Sequence, residues 1–290
     1  VVGALLIVLP GAADSAGVVR DGPVEAQLVS EVTTVRPGEP FTVALRLHMD
    51  REWHVYWRNP GDAGLAPAIT WQLPEGFTAG EIQWPHPARI STPPITCYGY
   101  DDEVLLLVEI TPPRGLEPGT TAVLRATAEW LACREVCVAG EAELAVSLPV
   151  VDAPPARDQE WAGRFDEARR RLPLRSSGWQ VAASLGGGTI VLELTPPAGF
   201  SGRLGRVLFF PFDDALIANG TAQELARDGA RYRLTVERWP NRLDDPERIA
   251  GVLVSSSGWG GPDSRKAIEF DAIVGGDGPQ SSITEERRRD

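Results

Sequence analysis

Apolar and polar residues alternate with a period of two along most of this chain. Val24, Ala26 and Leu28 alternate with polar neighbours, and Phe41, Val43, Leu45 and Leu47 do so again after a turn at 36–40. That period belongs to a strand with one buried face. Further strand-like runs lie at 53–57, 68–72, 81–84, 104–110, 121–130 and 141–150. Turn clusters separate them, including Asn59-Pro60-Gly61-Asp62, Pro74-Glu75-Gly76, Pro112-Pro113 and Glu117-Pro118-Gly119. Many short strands with turns between them predict a β-sandwich or barrel over 22–152.

The period changes after Ala153-Pro154-Pro155. Asp158 reads as a cap, and Trp161, Phe165, Ala168 and Leu172 recur at three- and four-residue spacing, with Arg169-Arg170-Arg171 in the last turn. That spacing predicts one helix at 158–172, inside a linker at 153–177. Strand patterns return at 181–184, 189–195, 206–211, 231–237, 251–255 and 266–271, which predicts a second sandwich over 178–274. The second region holds no cysteine and no histidine. Its Gly186-Gly187-Gly188 run lacks the lysine and helix of a phosphate loop, so it reads as a turn. The expected fold class is all-β, with two β-sandwich domains joined by a short helical linker. Residues 1–16 read as the remnant of a signal peptide, with an apolar run too short to span a bilayer. The polar residues 275–290 are expected to be a disordered tail.

Composition narrows the function. The net charge of -12 opposes binding to a phosphate backbone, so nucleic acid is not an expected partner. Three cysteines in 290 residues are too few for a disulfide framework and suit chemistry or one local bridge. Two of them, Cys133 and Cys137, stand between the strand-like runs at 121–130 and 141–150. An antiparallel hairpin centred on Glu135 sets Ala128 opposite Ala142, Ala126 opposite Leu144 and Leu124 opposite Val146, which puts the apolar positions of both strands on one face. The same register sets Cys133 opposite Cys137, on the face away from the core, at a spacing a disulfide tolerates.

Three uses of such a pair stay open at this point. A redox dithiol needs an accessible sulfur, and Arg134 between the cysteines favours a thiolate while Glu135 opposes it. A staple is the second use, although so short a loop gives only about 2 kcal/mol in the chain-entropy model. The third is Cu(I), which accepts two soft ligands, whereas zinc needs four. His48, His54 and His86 are scattered, and no metal site is expected.

Several blocks together resemble a known family. They are 53–64 (Trp-His-Val-Tyr-Trp-Arg-Asn-Pro-Gly-Asp-Ala-Gly), Gly76-Phe77 with 82–85, then 94–100 with 103–106, and 130–137 (Trp-Leu-Ala-Cys-Arg-Glu-Val-Cys). In this order, over about 130 residues, they resemble the periplasmic N-terminal domain of the DsbD thiol:disulfide interchange family, especially its ScsB-like branch. The resemblance implies an immunoglobulin-like sandwich carrying one redox disulfide, with Cys137 exchanging with partners and Cys133 resolving. It implies a periplasmic location. The implied donor is a thioredoxin-like domain or protein, fed by a membrane electron-transfer domain on the same or another chain. The implied acceptors are periplasmic thioredoxin-fold disulfide proteins. No cofactor is expected, because the sulfur pair itself carries the two electrons.

The resemblance also implies a cap loop over the disulfide, matched here by Thr96, Cys97, Tyr98, Gly99 and Tyr100. Cys97 is a departure from the family's cap, and an exchange distance from Cys133 or Cys137 is one reading of it. His54 or Tyr56 is expected to line the site. The competing classes are a secreted adhesin- or chaperone-like sandwich with a structural disulfide and a Cu(I)-handling protein.

Overall fold

The structure, a computed structural model, describes residues 17–242, 244–260 and 264–275. The expected signal remnant at 1–16 and the tail beyond Gly275 lie outside the described residues. The protein is all-β: two immunoglobulin-like sandwiches joined by a short helical segment.

The strands of the first sandwich are β1 (Val19–Asp21), β2 (Val24–Ser30), β3 (Phe41–Met49), β4 (His54–Gly61), β5 (Ala68–Gln72), β6 (Thr78–Ala79), β7 (Ala88–Thr92), β8 (Ile95–Asp101), β9 (Glu103–Thr111), β10 (Thr121–Cys133) and β11 (Cys137–Pro149). One sheet runs β1-β2-β3-β9-β6, and the other runs β11-β10-β4-β8-β7 with β5 also paired to β10. Their facing sides bury Leu28, Leu45, Leu47, Leu106, Leu124, Trp130 and Leu144 in one core. Burial of this alternating apolar set is the main force holding the sheets together.

The hairpin register is the one the apolar pattern demands. Leu124 pairs with Val146, Ala126 with Leu144, Ala128 with Ala142 and Cys133 with Cys137. Two expectations need correction. The run at 81–84 is not a strand: only Gln83 bridges, to Leu107, and the nearby Pro85 and Pro87 have no N–H to extend a ladder. The expected loop at 96–100 is instead an interior strand, β8, paired to β4 on one side and β7 on the other. Its tyrosines supply the reason, since Tyr98 and Tyr100 are each 1% exposed and bury more area inside the sandwich than a loop would allow.

The helix α1 (Ala162–Arg171) is packed against the first sandwich. The helix is shorter than the expected 158–172 and Asp158 is not its cap: Trp161 holds that place, and Asp158 lies in the preceding turn, its Oδ1 accepting from Glu160 N and its carbonyl from Ala162 N, both at 2.8 Å. Phe165 and Ala168, flanked by Trp161 and Leu172, cover Val29, Ala44, Leu105 and Leu107 on the outer side of the first sheet. Arg169 in its last turn pairs with Glu31, and this hydrogen-bonded ion pair holds the Glu31 carboxyl below its ordinary range.

The second sandwich consists of β12 (Gln180–Gly186), β13 (Thr189–Thr195), β14 (Val207–Pro211), β15 (Glu224–Asp228), β16 (Arg231–Glu237), β17 (Arg248–Ser255) and β18 (Ala267–Ile273). Its sheets run β12-β13-β16-β15 and β14-β17-β18. It has its own core around Trp179, Leu192, Phe209, Leu234 and Trp259. Phe210, Val252 and Ala267 turn away from that core and join the core of the first sandwich. There Phe210 meets Tyr98 edge-on, with ring centroids 4.9 Å apart, and Phe212 lies 5.9 Å from Trp57. Apolar side chains therefore tie the two sandwiches together as well as the covalent linker does.

Candidate redox site

The two longest strands, β10 and β11, meet at a tip of three residues, Arg134, Glu135 and Val136. The tip closes with Arg134 N donating to Val136 O at 3.1 Å. Cys133 and Cys137 end the two strands and form a disulfide with a Cα–Cα separation of 4.1 Å. Both lie on the face away from the core, as the parity argument requires, yet their surroundings differ. Cys137 is exposed, whereas Cys133 is 3% exposed.

Side chains from β4 cause the difference. His54 pairs directly opposite Cys133 across the β10–β4 ladder. The Tyr56 ring meets His54 edge-on, with centroids 5.3 Å apart. Tyr56, Cys97 and Cys133 form a small buried cluster of their own, with Leu131 against it. The Tyr56 hydroxyl reaches the exposed half of the pair, 3.8 Å from Cys137 Sγ. His54 and Tyr56 thus both lie beside the disulfide.

The segment at 96–100 divides by strand parity. Cys97 faces the disulfide side and donates its S–H to Ala63 O at 3.2 Å. Tyr98 and Tyr100 face the core, where Tyr98 Oη donates to Asn219 Oδ1 at 2.6 Å and Tyr100 Oη donates to Pro85 O at 2.7 Å. Thr96 N donates to Asp62 Oδ2 at 2.8 Å. Gly99 pairs with Tyr56, and a Cβ there would lie 2.2 Å from Val55 O, so only glycine permits this close approach of β4 and β8. Cover over Tyr56 and Cys97 comes instead from the turn after β4. Gly64 in that turn lies so close to the Tyr56 ring that a Cβ would fall 2.2 Å from one ring carbon.

Burial sets the protonation of this cluster. It pushes Tyr56 up to about 12, with Cys97 adding to the rise, so the hydroxyl keeps its proton. It also pushes the Cys97 thiol up, so this sulfur stays protonated at neutral pH. His54 is lowered by burial, opposed by Asp101. Arg134 is turned outward, 5.6 Å from the Trp53 ring and 3.8 Å from Glu52, and shares its charge with that carboxylate.

Among the described residues, no group of three or more His, Cys, Asp or Glu side chains comes together as a metal site. Nor is any helix among them long and apolar enough to cross a membrane. The arrangement offers one accessible sulfur, one shielded sulfur and a protonated hydroxyl beside the first. That is a layout for attack on Cys137 with Cys133 as the leaving group.

Sequence reasoning singled out the cysteine pair and expected His54 or Tyr56 near it; it did not single out Asp62 or Asn219. Asn219 Nδ2 donates to Asp62 Oδ1 at 2.8 Å, tying the second sandwich to the turn beside the site. Asp62 stands in the Asn59-Pro60-Gly61-Asp62 run, which reads in sequence as a turn and nothing more.

Comparison with known proteins agrees with this geometry. Residues 23–149 match the family model described as thiol:disulfide interchange protein DsbD, N-terminal. A search of curated proteins gives no match. The crystal structure of the N-terminal periplasmic domain of ScsB from Proteus mirabilis superposes with a TM-score of 0.66 at 17% identity, covering 92% of this chain and 100% of that one. A protein of unknown function from Porphyromonas gingivalis W83 aligns at 15% identity over 87% of this chain and 100% of its own, with a TM-score of 0.27. The ScsB likeness spans both sandwiches, while the family match covers the first alone. Residues 23–149 thus match the DsbD N-terminal family and carry the Cys133–Cys137 disulfide, which supports thiol:disulfide interchange as the chemistry of this sandwich.

Proposed function

We propose that this protein relays electrons in the periplasm, from a thioredoxin-like donor to oxidised thioredoxin-fold proteins, through Cys133 and Cys137. The observation that carries the reading is the asymmetry of the pair: Cys137 is exposed and Cys133 is 3% exposed. An incoming thiolate therefore has one sulfur to attack.

A donor thiolate attacks Cys137 Sγ, forming a mixed disulfide and expelling Cys133 as a thiolate, which takes a proton from solvent. The donor's second thiolate then attacks the donor sulfur of that bond. The donor leaves as a disulfide, and Cys137 leaves as a thiolate. Two electrons now reside on the Cys133/Cys137 dithiol. In the second half, the Cys137 thiolate attacks the acceptor's disulfide, and Cys133 resolves the new bond as it loses its proton. The acceptor departs as a dithiol and the starting disulfide is restored. The periplasmic placement rests on the ScsB likeness, since that relative is itself a periplasmic domain. A membrane electron-transfer domain, on this chain or another, is the proposed ultimate source.

Equilibration with glutathione at known ratios tests the reading. A relay disulfide exchanges at a potential well above the roughly -300 mV that marks structural bridges. A Cys133–Cys137 bond that stays oxidised below that value would assign the pair to stapling.

A further inference from the structure

The second sandwich has no cysteine and no histidine, yet it is hydrogen-bonded to the redox side of the first. The contacts form a continuous series. Asn59 Nδ2 donates to Pro211 O at 2.9 Å and to Asp213 O at 3.1 Å, while its Oδ1 accepts from Gly61 N at 2.9 Å. Asp62 accepts from Asn219 Nδ2 through Oδ1 and from Thr96 N through Oδ2, both at 2.8 Å, and its own N–H donates to Thr96 O at 3.0 Å. Asn219 is 5% exposed, and its Oδ1 is fixed by the Tyr98 hydroxyl at 2.6 Å. The next residues of the turn reach the site: Ala63 O accepts the Cys97 thiol at 3.2 Å, and Gly64 is packed against the Tyr56 ring. The Tyr56 hydroxyl ends the series, 3.8 Å from Cys137 Sγ.

Each link restrains the next. Asp62 has all its short hydrogen bonds to β8 and to Asn219, so loss of Asn219 frees one carboxylate oxygen and loosens the turn. Gly64 has no room to give without moving the Tyr56 ring. A swing of that side chain about the Cα–Cβ bond moves the hydroxyl, 3.8 Å from Cys137 Sγ, that is placed to donate to this sulfur when it is charged. Thiolate is the reacting form of Cys137 in both halves of the exchange, as leaving group and as nucleophile.

We propose that Asn219 is a positioning residue for the exchanging sulfur, and that the second sandwich holds Tyr56 against Cys137 through Asp62 and the 62–65 turn. This inference rests on the exchange reading above and gives the second sandwich a part in it. A hydrogen bond to a thiolate favours the charged form, so its loss raises the Cys137 pKa by about one unit and lowers the thiolate fraction about tenfold below that pKa. The more basic thiolate is a better nucleophile, with a Brønsted slope near 0.5, so exchange slows by about threefold. The other ionisable groups on this face are His54, Asp101, Cys97 and the Arg134–Glu52 pair. Of these, only Cys97 shares the turn that Asn219 restrains, through Asp62 and its own bond to Ala63 O, so the Cys97 peptide is followed in the same profile.

The test is the pH profile of Cys137 alkylation in the reduced full chain, read peptide by peptide by mass. The variants are Tyr56→Phe, Asn219→Ala, the double variant, and Ser255→Ala as a buried control in the second sandwich. The expected result is a midpoint raised by about one unit in Tyr56→Phe, a shift in the same direction in Asn219→Ala, no further shift in the double variant, and none in the control. Tyr98→Phe removes only the hydroxyl that orients Asn219 and should shift the midpoint the same way. It replaces Asn219→Ala if that protein fails to fold. A wild-type midpoint in Asn219→Ala and Tyr98→Phe, or additive shifts in the double variant, overturns the inference. No partner enters the assay, so a failure of the relay reading would show separately, as absent exchange with intact alkylation coupling.

Discussion

Gly99→Ala is the most demanding small change the site offers. Gly99 lies in β8 opposite Tyr56, and an added Cβ would lie 2.2 Å from Val55 O and 3.3 Å from Tyr56 Cα. An ordinary contact needs about 3.2 Å to an oxygen, so β4 and β8 must part by about 1 Å. Overpacking of this kind costs about 1–3 kcal/mol. Separation also weakens the ladder that pairs His54 with Asp101, Val55 with Tyr100 and Tyr56 with Gly99, at about 1 kcal/mol per hydrogen bond lost. The sum is about 3 kcal/mol, a large part of a typical domain's stability. Gly186→Ala is the matched control, because the same methyl there meets nothing within 4 Å. Its expected effect is at most a slight stabilisation from lost unfolded-state entropy. Urea unfolding followed by tryptophan fluorescence reads both, and the Gly99→Ala midpoint should fall by about 1 M or more. A Gly99→Ala protein within about 0.5 kcal/mol of Gly186→Ala would refute the reasoning, because it would mean the two strands are not held at this separation.

Other outcomes follow from separate parts of the molecule. Burial, helped by Arg171, lowers His86 from 6.5 to about 4. Between those values the unfolded chain binds more protons than the folded one, so stability rises with pH across the window, by up to about 3 kcal/mol, and is lost as pH falls through it. His86→Asn should flatten that dependence in urea titrations at pH 4.5, 5.5 and 7, and an unchanged slope would contradict it. Phe165→Ala empties a 0% exposed position beneath α1 and should cost about 3–5 kcal/mol in chemical unfolding; a loss under 1 kcal/mol would show that the helix does not depend on that contact. Val136 is 66% exposed at the hairpin tip. Val136→Ser should leave stability and glutathione exchange unchanged and slow exchange with a thioredoxin-fold protein by about fivefold, and equal rates would remove Val136 from the docking surface.

The hairpin and the helix were readable in the sequence for the same reason. Their apolar positions repeat at the period of the element, over 13 residues in each arm of the hairpin and over Phe165 and Ala168 in α1 with Trp161 and Leu172 at its caps. Register then followed, because a one-residue slip would turn Leu124, Leu144 and Val146 to solvent. Edge strand β15 left no such trace, since Leu225 alone of its five residues packs against the core and one position displays no period. The β7–β8 hairpin was hidden by Pro93-Pro94 at its turn and by a likeness that made the following residues a loop. The shielding of Cys133 was not legible either, because the covering ring comes from β4, a strand far away in sequence. Nor was the Asn219–Asp62 link, because a hydrogen bond between residues 157 apart leaves no local pattern.

The central claim is that Cys137 is the sulfur that meets partners and Cys133 the one that resolves. Trapping with the single-cysteine variants of the pair tests it most directly. Cys133→Ala in a periplasmic extract should accumulate mixed disulfides with thioredoxin-fold proteins through Cys137, and Cys137→Ala should accumulate few or none. Equal capture by both variants, or none by Cys133→Ala, would contradict the account.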